Sequence, residues 1–274
     1  SAVQVDVLRL IFKPAWSDIP QPPEVLAACE RIRRHLGTLV DSHLDDPEAF
    51  DDIASSVIAA RDEETGEPFS REALIDQLGV FFLAGHETTA SALTWAFYIL
   101  ADQSHWLARL REEIAAVVGD APMSFEHTKQ LPLTKAFFKE TLRLYPPITF
   151  MPRVALREAT VGGRRLRKGA LVMIAPWTLQ RHSKWWPDPH AFKPERFLPE
   201  QEAALVQGAY IPFGQGPHTC VGAGFAQTES VLILAELVRR FDWLLEPGQT
   251  VRPAARMTTR PADQVMLHVR PPAA

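Results

Sequence analysis

The chain has 274 residues, 46% of them hydrophobic and 23% charged, a composition that buries a substantial core and excludes a disordered chain. Its 29 Lys and Arg against 33 Asp and Glu leave a formal net charge of -4, which excludes whole-molecule attraction to nucleic acid or to an anionic membrane. Two cysteines, Cys29 and Cys220, make no disulfide framework and suit a reducing, cytoplasmic compartment. The opening residues SAVQVDVLRL show no targeting signal.

Apolar residues recur every three or four positions from 1 to about 120, punctuated at PAWSDIPQPP, DDPEAF and ETGEPFS, which predicts four helices. Ser70 is the expected N-cap of the last, a long helix from near Arg71 to about Asp102. Its apolar run over 78–100 is long enough to span a bilayer, but His86, Glu87, Thr88 and Thr89 in the middle favour a buried helix. A further helix, LARLREEIAAVVG, ends at Gly119, and another, LTKAFFKETLRLY, is stopped by Pro146 and Pro147. The second is apolar on most sides and should be buried.

Between 148 and about 174 apolar and polar residues alternate around Gly-Gly and Lys-Gly turns, which predicts short strands. The proline- and aromatic-rich stretch 177–215 is too apolar for a linker and reads as packed irregular chain. A last helix, GFAQTESVLILAELVRRF, follows Cys220, and DQVMLHVR is a β-like tail. No repeat or domain boundary interrupts the chain. The reading is one domain, mainly α with small β-sheets: helical over 1–147, a small sheet over 148–176, an irregular stretch and cysteine loop over 177–222, and a helix with β tail over 223–274.

The stretch FGQGPHTCVG sets three glycines and a proline around Cys220. A lone cysteine is most often a small buried hydrophobe. Here Gly214 and Gly216 permit backbone conformations closed to other residues, and the helix opening at Val221 and Gly222 presents an N-terminal dipole that favours a thiolate. A thiolate followed two residues later by a bare glycine suits an axial haem-iron ligand, whereas zinc or an iron–sulfur cluster needs further ligands at set spacing. In AGHETT, helical spacing places Ala84 and Thr88 on one face with Gly85 beside them, so a small-residue gap faces a hydroxyl. The alternative is that Thr88 bonds back to the Ala84 carbonyl and bends the helix. Glu140 and Arg143 stand at i and i+3 on a helix that should be buried, where an ion pair is costly unless a third partner completes it.

FGQGPHTCVG resembles the haem-binding signature of the cytochromes P450, Phe-x-x-Gly-x-Arg/His-x-Cys-x-Gly, with Phe213, Gly216, His218, Cys220 and Gly222 at the matching positions. AGHETT is similar to the family's oxygen-binding groove, and ETLR and PERF to its Glu-x-x-Arg motif and the arginine that completes it. The resemblance implies haem b (iron protoporphyrin IX), with Cys220 as the iron ligand and His218 and Arg153 on the two propionates. Ala84, Gly85, Gly214 and Ala226 complete the cofactor set. It implies an acid–alcohol pair at Glu87 and Thr88, a structural triad of Glu140, Arg143 and Arg196, and a substrate pocket lined by Phe81, Ala84, Thr88, Ile148, Thr149 and Phe150. The basic run GGRRLRKG reads as a solvated hairpin rather than a docking site.

The expected fold is the P450 fold with its N-terminal part absent. The implied activity is a haem-thiolate monooxygenase that inserts one atom of O2 into an apolar substrate, with a ferredoxin, flavodoxin or flavin reductase as electron donor. The alternative from a different class is a truncated, haem-free remnant with a structural or protein-binding role. Neither reading involves nucleic acid or a membrane span.

Overall fold

The computed structural model describes residues 21–256 and 258–272. The helix expected ahead of PAWSDIPQPP lies outside the described residues. Two compact units are formed, Ser1–Glu87 and Thr88–Ala274.

In the first unit, helix α1 (Pro23–Asp45) starts with proline at its first position, where the missing N–H costs nothing. Helix α2 (Ile53–Ala59) is capped by Asp52, whose side chain accepts from the Ser55 amide at 2.9 Å. Val40, Ala54, Leu74, Ile75 and Leu78 form the core of this unit. Helix α3 (Arg71–Asp102) has the expected bounds, and Ser70 caps it by accepting from the Ala73 amide at 3.2 Å. Arg71 grips Asp41 of α1 through two hydrogen bonds of 2.6 and 2.7 Å. The expectation of a buried α3 holds for parts of both halves, Leu74, Ile75 and Leu78 early and a second stretch late, but fails over 80–86 in between. Ala92, Trp95, Ala96, Ile99 and Leu100 are buried, whereas Val80, Phe82 and Leu83 are more than half exposed. Among the described residues no helix is long and apolar enough to cross a membrane.

In the second unit, α4 (Ser104–Val118) ends at Gly119, whose positive φ of 55° glycine adopts readily. A short helix, α5 (Phe125–Lys129), was not expected; its cap is the Ser124–His127 box. Helix α6 (Pro132–Leu144) is buried on nearly every side, as its apolar sequence predicts. The expected small sheet is two separate antiparallel ladders. Strand β1 (Met151–Val154) pairs with β4 (Leu171–Ile174), and β2 (Ala159–Val161) with β3 (Arg164–Leu166) across the Gly162–Gly163 turn. GGRRLRKG is therefore an exposed hairpin, with Arg165 on Glu158 at 2.7 Å.

The irregular stretch contains two short helices, α7 (Pro176–Leu179) and α8 (Pro199–Ala203), and a 3₁₀ turn over Pro194–Phe197. It buries Trp186, Phe197 and Ala209 against Ala136 of α6. Helix α9 (Ala223–Arg240) begins after Gly222 and packs Val231, Leu234, Ala235 and Val238 into a core shared with α4, α6 and the second half of α3. The tail holds β5 (Asp242–Leu245) paired with β8 (Leu267–Arg270), and β6 (Pro253–Ala255) paired with β7 (Thr259–Pro261). Only β8 was legible as a strand in the sequence.

Candidate active site

The Cys220 loop is shaped by its own backbone. Gly214 and Gly216 take φ of 77° and 83°, conformations that a side chain disfavours. At Gly214 the positive φ alone favours glycine, because a Cβ there would stand in ordinary contact, 3.5 Å from the Met151 sulfur and 3.6 Å from the His218 carbonyl oxygen. The Gly214 amide donates to the Ile211 carbonyl at 3.1 Å, Thr219 to Gly216 at 3.0 Å, and Cys220 to Phe213 at 2.9 Å. Phe213 packs against the core and anchors the loop. The result is an exposed Cys220 thiol immediately ahead of an 18-residue helix.

That exposure removes the buried-hydrophobe alternative for Cys220. A Cβ on Gly222 would lie 3.9 Å from the Cys220 sulfur, so the residue beside the thiol is bare backbone. Ala226 sits one turn into α9, its amide donating to the Gly222 carbonyl at 2.8 Å. His218 is exposed on the same loop. Arg153 is exposed on β1, and its guanidinium donates to the Pro152 carbonyl at 2.8 Å.

Behind the loop lies a buried polar network. Glu140 and Arg143 are both fully buried and joined by two hydrogen bonds, from Nε at 2.6 Å and from Nη2 at 2.8 Å. Arg143 also donates to the carbonyls of Gln180, Pro189 and Ala191 at 2.9, 2.7 and 3.0 Å. The Lys193 amide donates to Glu140 at 2.8 Å, and Arg196 Nε stands 3.5 Å from the same carboxylate. Glu140, Arg143 and Arg196 are thus together, with backbone carbonyls absorbing most of the charge. Burial pushes the Glu140 carboxyl upward, and the hydrogen bonds from Arg143 and Lys193 oppose that push.

Gln180, fully buried, was not singled out from the sequence. Its amide donates to the carbonyls of Leu142 and Arg143 at 3.0 and 3.1 Å, and its oxygen accepts from the Ile211 amide at 2.9 Å. It therefore ties the C-terminus of α6 to the start of the cysteine loop. A lone glutamine in an aperiodic stretch carries no signal of this role.

AGHETT occupies the middle of α3. Ala84 and Gly85 are exposed, Glu87 and Thr88 half-buried, and a Cβ on Gly85 would meet no atom within 4 Å. Phe81, one turn earlier, is 37% exposed. Further along α3, the Ser91 hydroxyl and the Trp95 indole both donate to the Thr259 carbonyl of β7, the indole at 3.1 Å. The Thr259 amide in turn donates to the Pro147 carbonyl at 2.8 Å. One tail residue thereby connects α3 with the segment holding Ile148, Thr149 and Phe150, all half-buried.

Among the described residues no group of three or more His, Cys, Asp or Glu converges to hold a bare metal ion. A single exposed thiol over glycine, at a helix N-terminus, fits a metal whose remaining ligands come with a flat macrocycle. The site and the fold around it define the haem-thiolate class.

The model of the family Cytochrome P450 matches residues 15–270, and the chain belongs to the cytochrome P450 family, whose cofactor is haem b. It is 37% identical over 228 residues to cyclooctatin synthase of Streptomyces melanosporofaciens, covering 81% of this chain and 50% of that protein. It is 35% identical over 260 residues to pentalenene oxygenase of Streptomyces avermitilis, covering 92% and 57%. The chain thus spans about half the length of these relatives. The structure of a retinoic acid bound cyanobacterial CYP120A1 superposes with a TM-score of 0.86 at 29% identity, covering 92% of this chain and 59% of that one.

Proposed function

We propose that the chain forms the C-terminal portion of the catalytic domain of a haem-thiolate monooxygenase acting on an apolar organic substrate, with electrons delivered by a ferredoxin, flavodoxin or flavin reductase. The observation that carries this reading is the exposed Cys220 thiol over Gly222 at the start of α9. The relative named pentalenene oxygenase supports an apolar substrate. When bound, haem b supplies the iron centre at which O2 is activated by one-electron reductions.

The chain's own residues supply position, protons and exclusion of water. Cys220 would be the ligand, its amide fixed on the Phe213 carbonyl. His218 and Arg153 would be the cations for the two propionates, with Gly214, Gly216 and Ala226 beside the macrocycle; Ala84 and Gly85 are the small positions that α3 would offer the same group. Glu87 and Thr88 hold a proton at the oxygen site, as a carboxylate and hydroxyl in neighbouring positions can. Phe81 and Ala84 on α3, and Ile148, Thr149 and Phe150 in the second unit, would each offer contact surface to the substrate.

Reduction of the protein under carbon monoxide tests this. The red-shifted Soret band of a thiolate-ligated haem is expected in the wild type and lost in Cys220→Ala. A colourless preparation supports the haem-free alternative, and a band that survives Cys220→Ala removes the ligand assignment.

A further inference from the structure

On the second unit, a cleft of about 380 Å³ opens beside α7, lined by Trp177, Thr178, Arg181, His182 and Ser183. Each of these side chains carries a hydrogen-bond donor, and none is a carboxylate. Arg181 is half-buried, its guanidinium 3.5 Å from the centre of the Trp177 ring. Its Nη2 donates to the Leu144 carbonyl at the end of α6, and its Nη1 to the Trp177 carbonyl at a long 3.4 Å. Among the described residues its Nε has no acceptor and no carboxylate forms an ion pair with it. Arg111, Arg143, Arg196 and Arg239, also withdrawn from solvent, each face a carboxylate instead. The carboxylate that acts on Arg181 from a distance, Glu140, is already bonded twice to Arg143. Burial lowers the Arg181 pKa to about 10, with Tyr145 and Glu140 pulling against it and Arg143 adding repulsion, so the group stays charged at neutral pH.

The other walls supply donors rather than acceptors. His182 Nδ1 accepts from the Lys184 amide at 3.1 Å, which puts the hydrogen of the neutral ring on Nε2. Thr178 and Ser183 are exposed, and neither hydroxyl has a partner among the described residues. At the rim, the Lys184 ammonium lies 4.5 Å over the Trp185 ring with no ion pair among the described residues, which adds positive potential. A charge drawn partly out of water, with a free donor edge and three further donors around one cleft, lacks an anionic acceptor. The two oxygens of a carboxylate suit the guanidinium fork alone. A fork, an imidazole N–H and two hydroxyls together call for the three or four oxygens of a tetrahedral anion.

We propose that the Arg181–His182–Ser183 cleft is a binding site for a phosphate group, free or carried by a small phosphomonoester. None of its residues is assigned to the haem or the substrate. Occupancy is felt at the end of α6. Arg181 holds the Leu144 carbonyl, and Gln180 beside it holds those of Leu142 and Arg143. A phosphate on Arg181 therefore fastens the helix end that carries the buried Glu140–Arg143 pair, and the bound protein is the more stable one.

The test titrates inorganic phosphate, glycerol phosphate and acetate into the purified protein by calorimetry at constant ionic strength, and follows thermal unfolding with each. Both phosphates should bind saturably and raise the unfolding temperature with concentration, and acetate should do neither. Tighter binding of glycerol phosphate assigns the site to a phosphomonoester, and equal binding to free phosphate. The double variant His182→Ala, Ser183→Ala changes only exposed side chains, so without phosphate it should unfold at the wild-type temperature. Its phosphate affinity should fall about tenfold, the loss expected for hydrogen bonds to a charged group. Arg181→Lys, which keeps the charge and loses the fork, should also bind phosphate about tenfold more weakly. If it fails to fold for want of the Leu144 bond, the double variant decides. No saturable phosphate binding by the wild type, equal affinity in the double variant, or acetate bound as tightly as phosphate overturns the proposal.

Discussion

Glu140→Ala separates a structural role for the buried network from a chemical one. The substitution removes both acceptors of the Arg143 ion pair, at 2.6 and 2.8 Å, and the acceptor of the Lys193 amide at 2.8 Å. Arg143 keeps its three carbonyl partners but remains a positive charge with no solvent exposure. Breaking a buried pair from one side costs roughly 3–5 kcal/mol, a large fraction of the about 5–15 kcal/mol that holds a domain together. Replacing Glu140 with Leu and Arg143 with Met together should recover only part of that loss, because the carbonyls of Gln180, Pro189 and Ala191 then lose their donors. Denaturant unfolding and the haem content of the purified protein are the measurements. A Glu140→Ala protein that unfolds at the wild-type midpoint, carries a full complement of haem and lacks only activity would refute the structural assignment.

Gln180→Leu should cost about 2–3 kcal/mol in thermal unfolding, since it strands the Ile211 amide and two carbonyls at the end of α6. It should also speed conversion of the thiolate carbon monoxide band to the form without thiolate, an effect absent if Gln180 only fills space. Thr88→Ala should keep reductant consumption while product per reductant falls and hydrogen peroxide rises; unchanged coupling leaves Thr88 a helix-bending residue. In the first unit, the Arg71 hydrogen bond holds the Asp41 carboxyl below its ordinary value of 3.8. The folded form therefore binds that proton less readily than the unfolded one. Its stabilisation is complete above the ordinary value and is lost as pH falls through the depressed one. Asp41→Asn should flatten the acid limb of the stability profile, and an unaltered limb would remove Asp41 as a contributor.

The long helix and the cysteine loop were the most legible elements, for local reasons. Ser70 followed by a sustained apolar pattern marks both the start and the length of Arg71–Asp102. Gly214 and Gly216 mark the loop because only glycine enters those dihedral angles readily. The Glu140–Arg143 pair was visible as an i, i+3 spacing, but three further partners of Arg143 are main-chain carbonyls, which carry no residue identity. Gln180 was illegible for the same reason: its partners are backbone groups distant in sequence. The tail strands β5, β6 and β7 were hidden because short pairs beside proline and charge lack alternation. Exposure over 80–86 ran against the apolar pattern, since hydrophobicity records a tendency to be covered and names no cover.

The Thr259 carbonyl, taking donors from Ser91 and Trp95 while its own amide reaches Pro147, makes the tail a gauge block between the long helix and the 148–150 segment. Because these are main-chain groups, a side chain of similar size at the buried position 259 preserves the spacing, whereas an inserted or deleted residue in β7 changes it. Laboratory evolution of substrate preference therefore has two separate dials here. In the proposed pocket, side-chain changes at 148–150 would alter the texture of the wall, and length changes in the tail would move it.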